Sequence, residues 1–135
     1  MIPKTSIMRV VRPTDNLECI TNMYMDGLGF ELLNEFQGHN GINGSILGHE
    51  NHPYHFAFTQ HMGVEVGSAS TKDNLLVFYI PNKHAWVQCC ESMLEAGFIR
   101  VDSYNVYWNE LGRTFEDVDG YRIVLQNDEF GINRS

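Results

Sequence analysis

The pattern of apolar and polar residues begins with a strand-like segment followed by a helical one. Residues 7–11 predict a strand that ends before Pro13, and Thr14 and Asp15 offer N-caps for a helix. The apolar positions that follow recur every three or four residues, which predicts one buried helical stripe: Leu17, Ile20, Met23, Tyr24 and Leu28. Gly29 is placed to end this helix.

Three strand-like segments complete a first module of about residues 7–61. Residues 30–36, 45–48 and 54–61 predict the three strands, since each is apolar or alternating and is bounded by turn residues. Residues 62–73 carry small residues without a clear period, so we expect a linker there.

The same pattern returns in a second module of about residues 74–127. Residues 75–80 predict a strand, Asn82 can cap a second helix, and Gly97 can end it. Gly97 follows Gly29 by 68 residues, and a phenylalanine comes after each glycine. Two copies of strand, helix and three strands are an internal repeat. We therefore predict an α+β fold, a single domain of two tandem βαβββ modules whose strands form one curved mixed β-sheet with the helices outside.

A late hairpin carries the strongest turn signal in the chain. Asp119-Gly120 separates two strand-like runs within residues 114–126, and a two-residue turn there needs φ > 0 at both positions. The residues after the turn alternate between a face that suits a core and a less apolar face. The less apolar face carries Arg122, Val124 and Gln126.

Composition and charge exclude several classes of function. The chain has 43% hydrophobic and 19% charged residues, as globular proteins do, and its net charge of −8 argues against nucleic-acid and anionic-membrane partners. The longest apolar run, residues 75–80, is too short to span a bilayer, and no signal-peptide core is evident at the N-terminus. The three cysteines give no disulfide framework. We therefore expect a cytoplasmic protein with reduced, buried thiols.

Several segments together resemble the vicinal-oxygen-chelate superfamily, which includes glyoxalase I, the bleomycin- and fosfomycin-resistance proteins and extradiol dioxygenases. The resemblance covers roughly residues 7–127 and rests on the late hairpin and on Arg12-Pro13-Thr14-Asp15, Gly27-Leu28-Gly29-Phe30 and Tyr54-His55-Phe56-Ala57-Phe58-Thr59. Val118 departs from the proline that the family usually has in this hairpin. The resemblance implies a cupped sheet whose concave wall carries the ligand site, and it makes a homodimer an expectation.

The resemblance also implies metal-ligand positions on the first, fourth, fifth and last strands, where many members carry His or Glu. These positions fall on Arg9, Ala57, Leu75 (or Val77 if the register shifts by two) and Val124. A guanidinium has no free lone pair at neutral pH, and the other side chains have no donor atom. We therefore expect no divalent metal and no other cofactor.

Arg9, His55 and His61 are candidate ligand contacts on the predicted wall of the cup. Arg9 lies on a strand that we expect to be central. It is either a clamp for an anionic ligand, such as a carboxylate or phosphate, or a member of an internal ion pair or an exposed strand end. His55 and His61 share a face with Ala57 and can line the pocket.

An aromatic segment supplies the remaining candidates. Asn105, Tyr107 and Trp108 precede residues 109–112, a loop that either closes over the cup or plugs the edge of the sheet. Further candidates are Tyr79, Arg113 and Glu116.

Two classes of function remain open. The first is a metal-free small-molecule-binding protein, similar to the bleomycin-resistance type, whose ligand contacts include Ala57 and Val124 as well as the residues above. The alternative is a glyoxalase-like lyase or isomerase that uses displaced metal ligands such as His55 and His61, or acid–base chemistry without a metal.

Overall fold

A computed structural model of the chain describes residues 1–129, apart from the side chain of His39, so residues 130–135 of the predicted domain lie outside the described residues. The chain divides into two compact units, Met1–Gly67 and Ser68 onwards. Each unit contains one module of strand, helix and three strands and has its own four-stranded mixed sheet. The predicted α+β class and the tandem βαβββ modules are confirmed.

The first module consists of five elements in the predicted order. They are β1 (Met8–Pro13), α1 (Leu17–Leu28), β2 (Glu31–His39), β3 (Ile42–Gly48) and β4 (Tyr54–His61). The order across the sheet is β1-β4-β3-β2, with β1 parallel to β4 and the other pairs antiparallel. β1 is thus an edge strand of this sheet, and the expectation that Arg9 lies on a central strand is wrong.

α1 packs on one face of the first sheet and forms the core there. The fully buried ring of Tyr24 lies 4.9 Å from the ring of Phe58 and 6.2 Å from that of Phe56. Thr21 and Ser45 share a hydrogen bond of 2.8 Å between their hydroxyl groups on the same side. Because side chains alternate along a strand, the opposite set points away from α1. We call this side the first far face; it carries Arg9, Val11, His55, Ala57 and His61.

The linker is fastened to the first module by a residue predicted to cap a helix. Asn16, not Asp15, occupies the cap position of α1, and its N–H donates to Thr14 Oγ1 over 2.9 Å. The carboxylate of Asp15 instead accepts from the N–H groups of Val66 and Gly67, both over 2.9 Å. Asp15 therefore holds the start of the linker, because a carboxylate with two backbone donors forms strong charge-assisted hydrogen bonds.

The second module repeats this plan with one additional short helix. Its elements are β5 (Leu75–Tyr79), α2 (Lys83–Glu95), β6 (Ile99–Val101), a 3₁₀ helix (Val106–Asn109), β7 (Gly112–Glu116) and β8 (Arg122–Gln126). The strand order is β5-β8-β7-β6, and β5 and β8 are parallel. Neither α-helix within residues 1–129 has the length and hydropathy needed to cross a membrane.

The helix ends follow the predicted capping chemistry. Gly29 ends α1 with φ +73°, and Gly97 follows α2 with φ +99°. Asn82 Oδ1 accepts from the N–H of Ala85 over 2.9 Å at the start of α2. These signals are local to a few residues, which is why the sequence is sufficient to find them.

The connection between β7 and β8 is longer than the predicted two-residue turn. It covers residues 117–121, and only Gly120 has a positive φ (+85°), so the prediction for Asp119 is wrong. Asp117 Oδ1 accepts from the N–H groups of Asp119 over 2.9 Å and Tyr121 over 3.0 Å. The Asp117 side chain therefore stabilises a wider turn, as aspartate does when it bonds to the backbone two residues on.

α2 covers one face of the second sheet. Trp86 Nε1 donates to the backbone oxygen of Leu125 over 2.9 Å, and Arg113 Cζ lies 4.8 Å from the centroid of the Trp86 ring. Side chains that alternate with Arg113 and Leu125 point the other way. We call that side the second far face; it carries Leu75, Val77, Tyr79, Thr114, Glu116, Arg122, Val124 and Gln126.

The cysteines differ in their surroundings. Cys90 is buried, and desolvation raises the pKa of its thiol to about 11, although the charge of Arg113 opposes the shift. Cys19 is exposed, so the expectation of buried thiols is wrong for this residue. It lies beside the apolar stripe of α1 rather than on it.

Candidate functional site

Arg9 and His55 are hydrogen-bonded neighbours on the first far face. Nε of Arg9 donates to Nδ1 of His55 over 3.3 Å. An arginine nitrogen can only donate, so Nδ1 of His55 accepts and the neutral ring carries its proton on Nε2. Arg9 is exposed and forms no ion pair within residues 1–129. The pair therefore presents N–H groups, which suit an anionic or carbonyl-bearing ligand.

Ala57 and His61 lie on the same strand as His55 but at different depths. Ala57 is buried, whereas His61 is exposed at the last residue of β4. His55 and His61 are six positions apart on this strand, which corresponds to about 20 Å. Metal–nitrogen bonds are only about 2 Å long, so these two histidines of one chain cannot share a metal ion. The displaced site required by one form of the alternative function is therefore excluded for this pair.

The sheet registers bear on which fifth-strand position, Leu75 or Val77, corresponds to Arg9. In the first sheet, the residue two positions after Arg9 pairs with Ala57. In the second sheet, the residue two positions after Leu75 pairs with Val124. If Ala57 and Val124 are equivalent, as the resemblance implies, these registers favour Leu75, whereas the 68-residue offset of the two modules favours Val77.

The residues at the family's four metal positions do not fit a metal ion. One side chain is a guanidinium and three are hydrocarbons, so none offers a lone pair to a divalent cation. Val124, at the last position, is fully buried among other side chains. Within the described part of the chain, no group of three or more His, Cys, Asp or Glu side chains is placed to hold a metal ion elsewhere.

A row of buried polar side chains lies beside Val124 on the second far face. Arg122 is 6% exposed, and its Nε donates to Glu116 Oε1 over 3.2 Å. Thr114 Oγ1 donates to Ser103 Oγ over 3.1 Å, and both residues are buried. The alternation of side chains along β8 predicts that Arg122 lies on this face. Ser103 lies in the connection after β6, where no alternation indicates which way its side chain points.

Gln126 ends this row with an unsatisfied acceptor. The residue is 3% exposed, and its Oε1 is buried without a hydrogen-bond partner among the described residues. Its amide lies over Gly112, where an added methyl group would collide with it. A buried acceptor left unpaired costs about 1–3 kcal/mol, and most such groups in proteins are satisfied. Gln126 is therefore a candidate ligand contact, and the alternation of β8 is the signal that could have assigned it.

The other predicted contacts lie close to this row or on the connection before β7. Tyr79 is partly exposed and pairs with Gln126 across β5 and β8. Asn105 caps the 3₁₀ helix, with its Oδ1 accepting from the N–H of Tyr107 over 3.1 Å. The rings of Tyr107 and Trp108 meet edge to face with their centroids 4.9 Å apart.

Of the further candidates, Glu116 lies on the second far face. Arg113 does not, because it stacks on Trp86 on the helix side.

Comparison with known proteins finds relatives along most of the chain. The YycE-like N-terminal domain family matches residues 8–59, and the YycE-like C-terminal domain family matches residues 73–127. The uncharacterized protein YycE of Bacillus subtilis (strain 168) is 38% identical over 122 residues, which are 90% of this chain and 88% of that protein.

Solved structures agree with this relationship. The crystal structure of a YycE protein of unknown function from Bacillus subtilis has a TM-score of 0.87 at 35% identity, covering 97% of this chain and 96% of that one. The fosfomycin resistance protein FosX of Mesorhizobium loti has a TM-score of 0.69 at 14% identity, covering 96% of this chain and 95% of that one. At this identity, FosX is evidence for the fold alone.

Proposed function

Because the chain belongs to the YycE-like family of the vicinal-oxygen-chelate superfamily, we propose that it is a metal-free small-molecule-binding protein. The proposal is supported by the side chains at the four family metal positions, none of which offers a lone pair to a metal ion. A Lewis acid at those positions is what the superfamily's metal-dependent members have in common. Even without residues that can hold a metal ion, the far faces of the two sheets can still bind a ligand.

Each module has its own proposed ligand contacts, which are the residues predicted from the sequence together with Gln126. In the first module they are Arg9, His55, Ala57 and His61 on the first far face. In the second module they are Tyr79, Val124 and Gln126 on the second far face and Asn105, Tyr107 and Trp108 before β7. The N–H groups of Arg9 and His55 support an anionic group on a ligand of the first module. The aromatic rings and Val124 favour an apolar group on a ligand of the second module.

Titration calorimetry with Zn²⁺, Ni²⁺ and Mn²⁺ tests the absence of a metal site. We expect no stoichiometric binding of any of the three ions in the micromolar range. His55→Ala and His61→Ala are the controls, since a weak heat that disappears in either variant reports binding to a surface histidine. One-to-one micromolar binding that survives both substitutions would contradict the proposal.

The glyoxalase-like lyase or isomerase is not favoured by the geometry. A general base needs a free lone pair, but Nδ1 of His55 accepts from Arg9 and the proton occupies Nε2. Turnover of hemithioacetals with and without added metals is the assay. Activity that is lost in His55→Ala would overturn the binding proposal in favour of this enzyme.

We propose that the chain is cytoplasmic and forms homodimers, as expected from its thiols and from the superfamily. Sedimentation at micromolar concentration distinguishes a monomer from a dimer.

A further inference from the structure

A pocket lies in the second module, on the helix side of the sheet. It is a pocket of about 280 Å³ at the N-terminal end of α2. Its charged lining residues come from four different segments: Lys83 from α2, Arg100 from β6, Arg113 from β7 and Glu110 from the connection before β7. The volume is at the small end of ligand pockets, so the site suits a small metabolite.

The pocket concentrates positive charge on an acidic chain. It holds three of the nine Lys and Arg residues of a chain whose net charge is −8. Within residues 1–129, none of the three forms an ion pair, although the chain has 17 Asp and Glu residues. Glu110 is the one carboxylate in the lining, which leaves a local charge of +2. Positive charges that outnumber the carboxylates in a pocket and form no ion pair favour an external anion.

The position of Arg113 prepares it to bind this anion. Its Cζ lies 4.8 Å from the centroid of the Trp86 ring, and the indole is itself fixed by the 2.9 Å hydrogen bond from Nε1 to Leu125. A guanidinium stacked on a ring can still donate hydrogen bonds from its edge. Arg113 makes one side-chain hydrogen bond with Cys90, and its other N–H groups can bind an anion with little further loss of side-chain entropy.

Arg100 and Lys83 complete the cationic lining. Arg100 of β6 pairs with Phe115 of β7, which is two residues after Arg113. Arg100 and Arg113 are therefore diagonal neighbours on the same face of the sheet. Lys83 is the first residue of α2, where the partial positive charge of the helix terminus adds to that of the side chain.

We propose that this pocket binds a small phosphomonoester. Two guanidinium groups and an ammonium group match the oxygens of a tetrahedral anion, which arginine can bind through two N–H groups at once. At neutral pH a phosphomonoester carries a charge of about −1.5 to −2, close to the opposite of the local charge. Leu111, an exposed apolar residue of the lining, adds a contact for the organic part of the ligand. The site is on the opposite side of the second sheet from the second far face, and it does not depend on the function proposed for the far faces.

Phenyl phosphate and benzoate are suitable probes, because they share a ring and differ in charge. In Trp108→Phe the only tryptophan left is Trp86, whose fluorescence then reports the pocket. Calorimetry on the unsubstituted chain measures the same binding without that substitution. We expect phenyl phosphate to bind at least about tenfold more tightly than benzoate, the ratio that corresponds to one charged hydrogen bond.

Three single substitutions locate the binding. Arg100→Gln and Lys83→Gln should each weaken phenyl phosphate binding about tenfold, since each removes a charged donor. Lys72→Gln makes the same change of charge on an exposed linker residue and should change the affinity less than about twofold. Equal losses in all three variants, or no binding at all, would overturn the proposal. Binding that is lost in Arg9→Met but kept in Arg100→Gln would place the anion on the first far face and overturn it as well.

Discussion

Arg9 on the first far face and Arg122 on the second lie in sheets of the same topology but in different surroundings. Arg9 is exposed, and its one hydrogen bond within residues 1–129 goes to the neutral ring of His55 over 3.3 Å. Arg122 is buried, with Glu116 Oε1 at 3.2 Å from Nε and the backbone oxygen of Asp102 at 3.1 Å from Nη1. The hydrogen bonds of Arg122 are thus made within its own chain, whereas Arg9 still has N–H groups that can donate to a ligand.

This difference separates a structural role from a binding role. A guanidinium that is removed from water needs a carboxylate, because its desolvation costs several kcal/mol. Arg122 has that carboxylate, and its hydrogen bonds connect β8 to Glu116 of β7 and to the segment after β6. Arg9 is solvated in the free protein, so its charge is available to a ligand without first breaking an internal ion pair.

The largest expected effect is on stability and comes from Arg122→Met. The substitution leaves Glu116 as a half-buried carboxylate without its partner and removes the bond to Asp102, so we expect a loss of about 3–5 kcal/mol in the free energy of unfolding. Urea unfolding followed by circular dichroism measures it. Arg9→Met is the matched control on the other far face and should change the stability by less than about 0.5 kcal/mol.

A double variant separates the charge pair from other effects of the substitution. Arg122→Met/Glu116→Leu removes both charges, and we expect it to be more stable than Arg122→Met alone because no uncompensated carboxylate remains. If Arg122→Met and Arg9→Met were equally stable, the distinction between a structural and a ligand-binding arginine would be lost.

A pair of glycines extends the comparison to the backbone. Gly44 of β3 and Gly112 of β7 are 68 residues apart, as the two modules are, and each is covered by a side chain. A methyl group at position 44 would collide with the ring of Phe36, and one at position 112 with the amide of Gln126. At position 112 it would also lie 2.9 Å from the backbone oxygen of Trp108, which cannot rotate away.

We therefore expect Gly112→Ala to lower the stability by about 1–3 kcal/mol, and Gly44→Ala to lower it less, because only the Phe36 ring must move there. Urea unfolding of both variants gives the difference. Gly112→Ala/Gln126→Ala relieves the collision with the amide but not the one with Trp108, so it should recover part of the loss. Full recovery would show that the backbone contact does not matter.

The sequence was sufficient for those parts of the fold that depend on short-range chemistry. Gly29 and Asn82 end and begin helices through their own backbone conformation and side-chain hydrogen bond, and the structure confirms both. The turn at Asp119 was predicted wrongly, because Asp117 stabilises a competing turn with its side chain. Asp15 was likewise expected to cap a helix, whereas its carboxylate binds the linker about fifty residues later in the chain.

The site was less predictable, because alternation gives the face of a side chain but not its burial. The same alternation assigns Arg9 and Arg122 to the far faces of their sheets, and nothing in it indicates that one is exposed and the other paired. Which side chains satisfy a polar group depends on contacts made by distant segments. Gln126 shows this most clearly, since its missing partner is visible only in the structure.

The smallest expected effect compares two glutamines. Gln60 on β4 is satisfied: its Nε2 donates to the backbone oxygen of Asp15 over 3.2 Å, and its Oε1 accepts from the N–H of Leu17 over 3.4 Å. Gln126 on β8 has a buried Oε1 without a partner among the described residues.

In the ligand-free protein, Gln126→Met removes the cost of this unpaired acceptor and keeps the side-chain volume, so we expect a gain of about 1 kcal/mol in the free energy of unfolding. Gln60→Met breaks two hydrogen bonds and should lose about 1–2 kcal/mol. Thermal and urea unfolding of the two variants give the sign of each change in the free energy of unfolding. A loss for Gln126→Met as large as that for Gln60→Met would show that its amide is already satisfied within the protein, which would remove it from the ligand site.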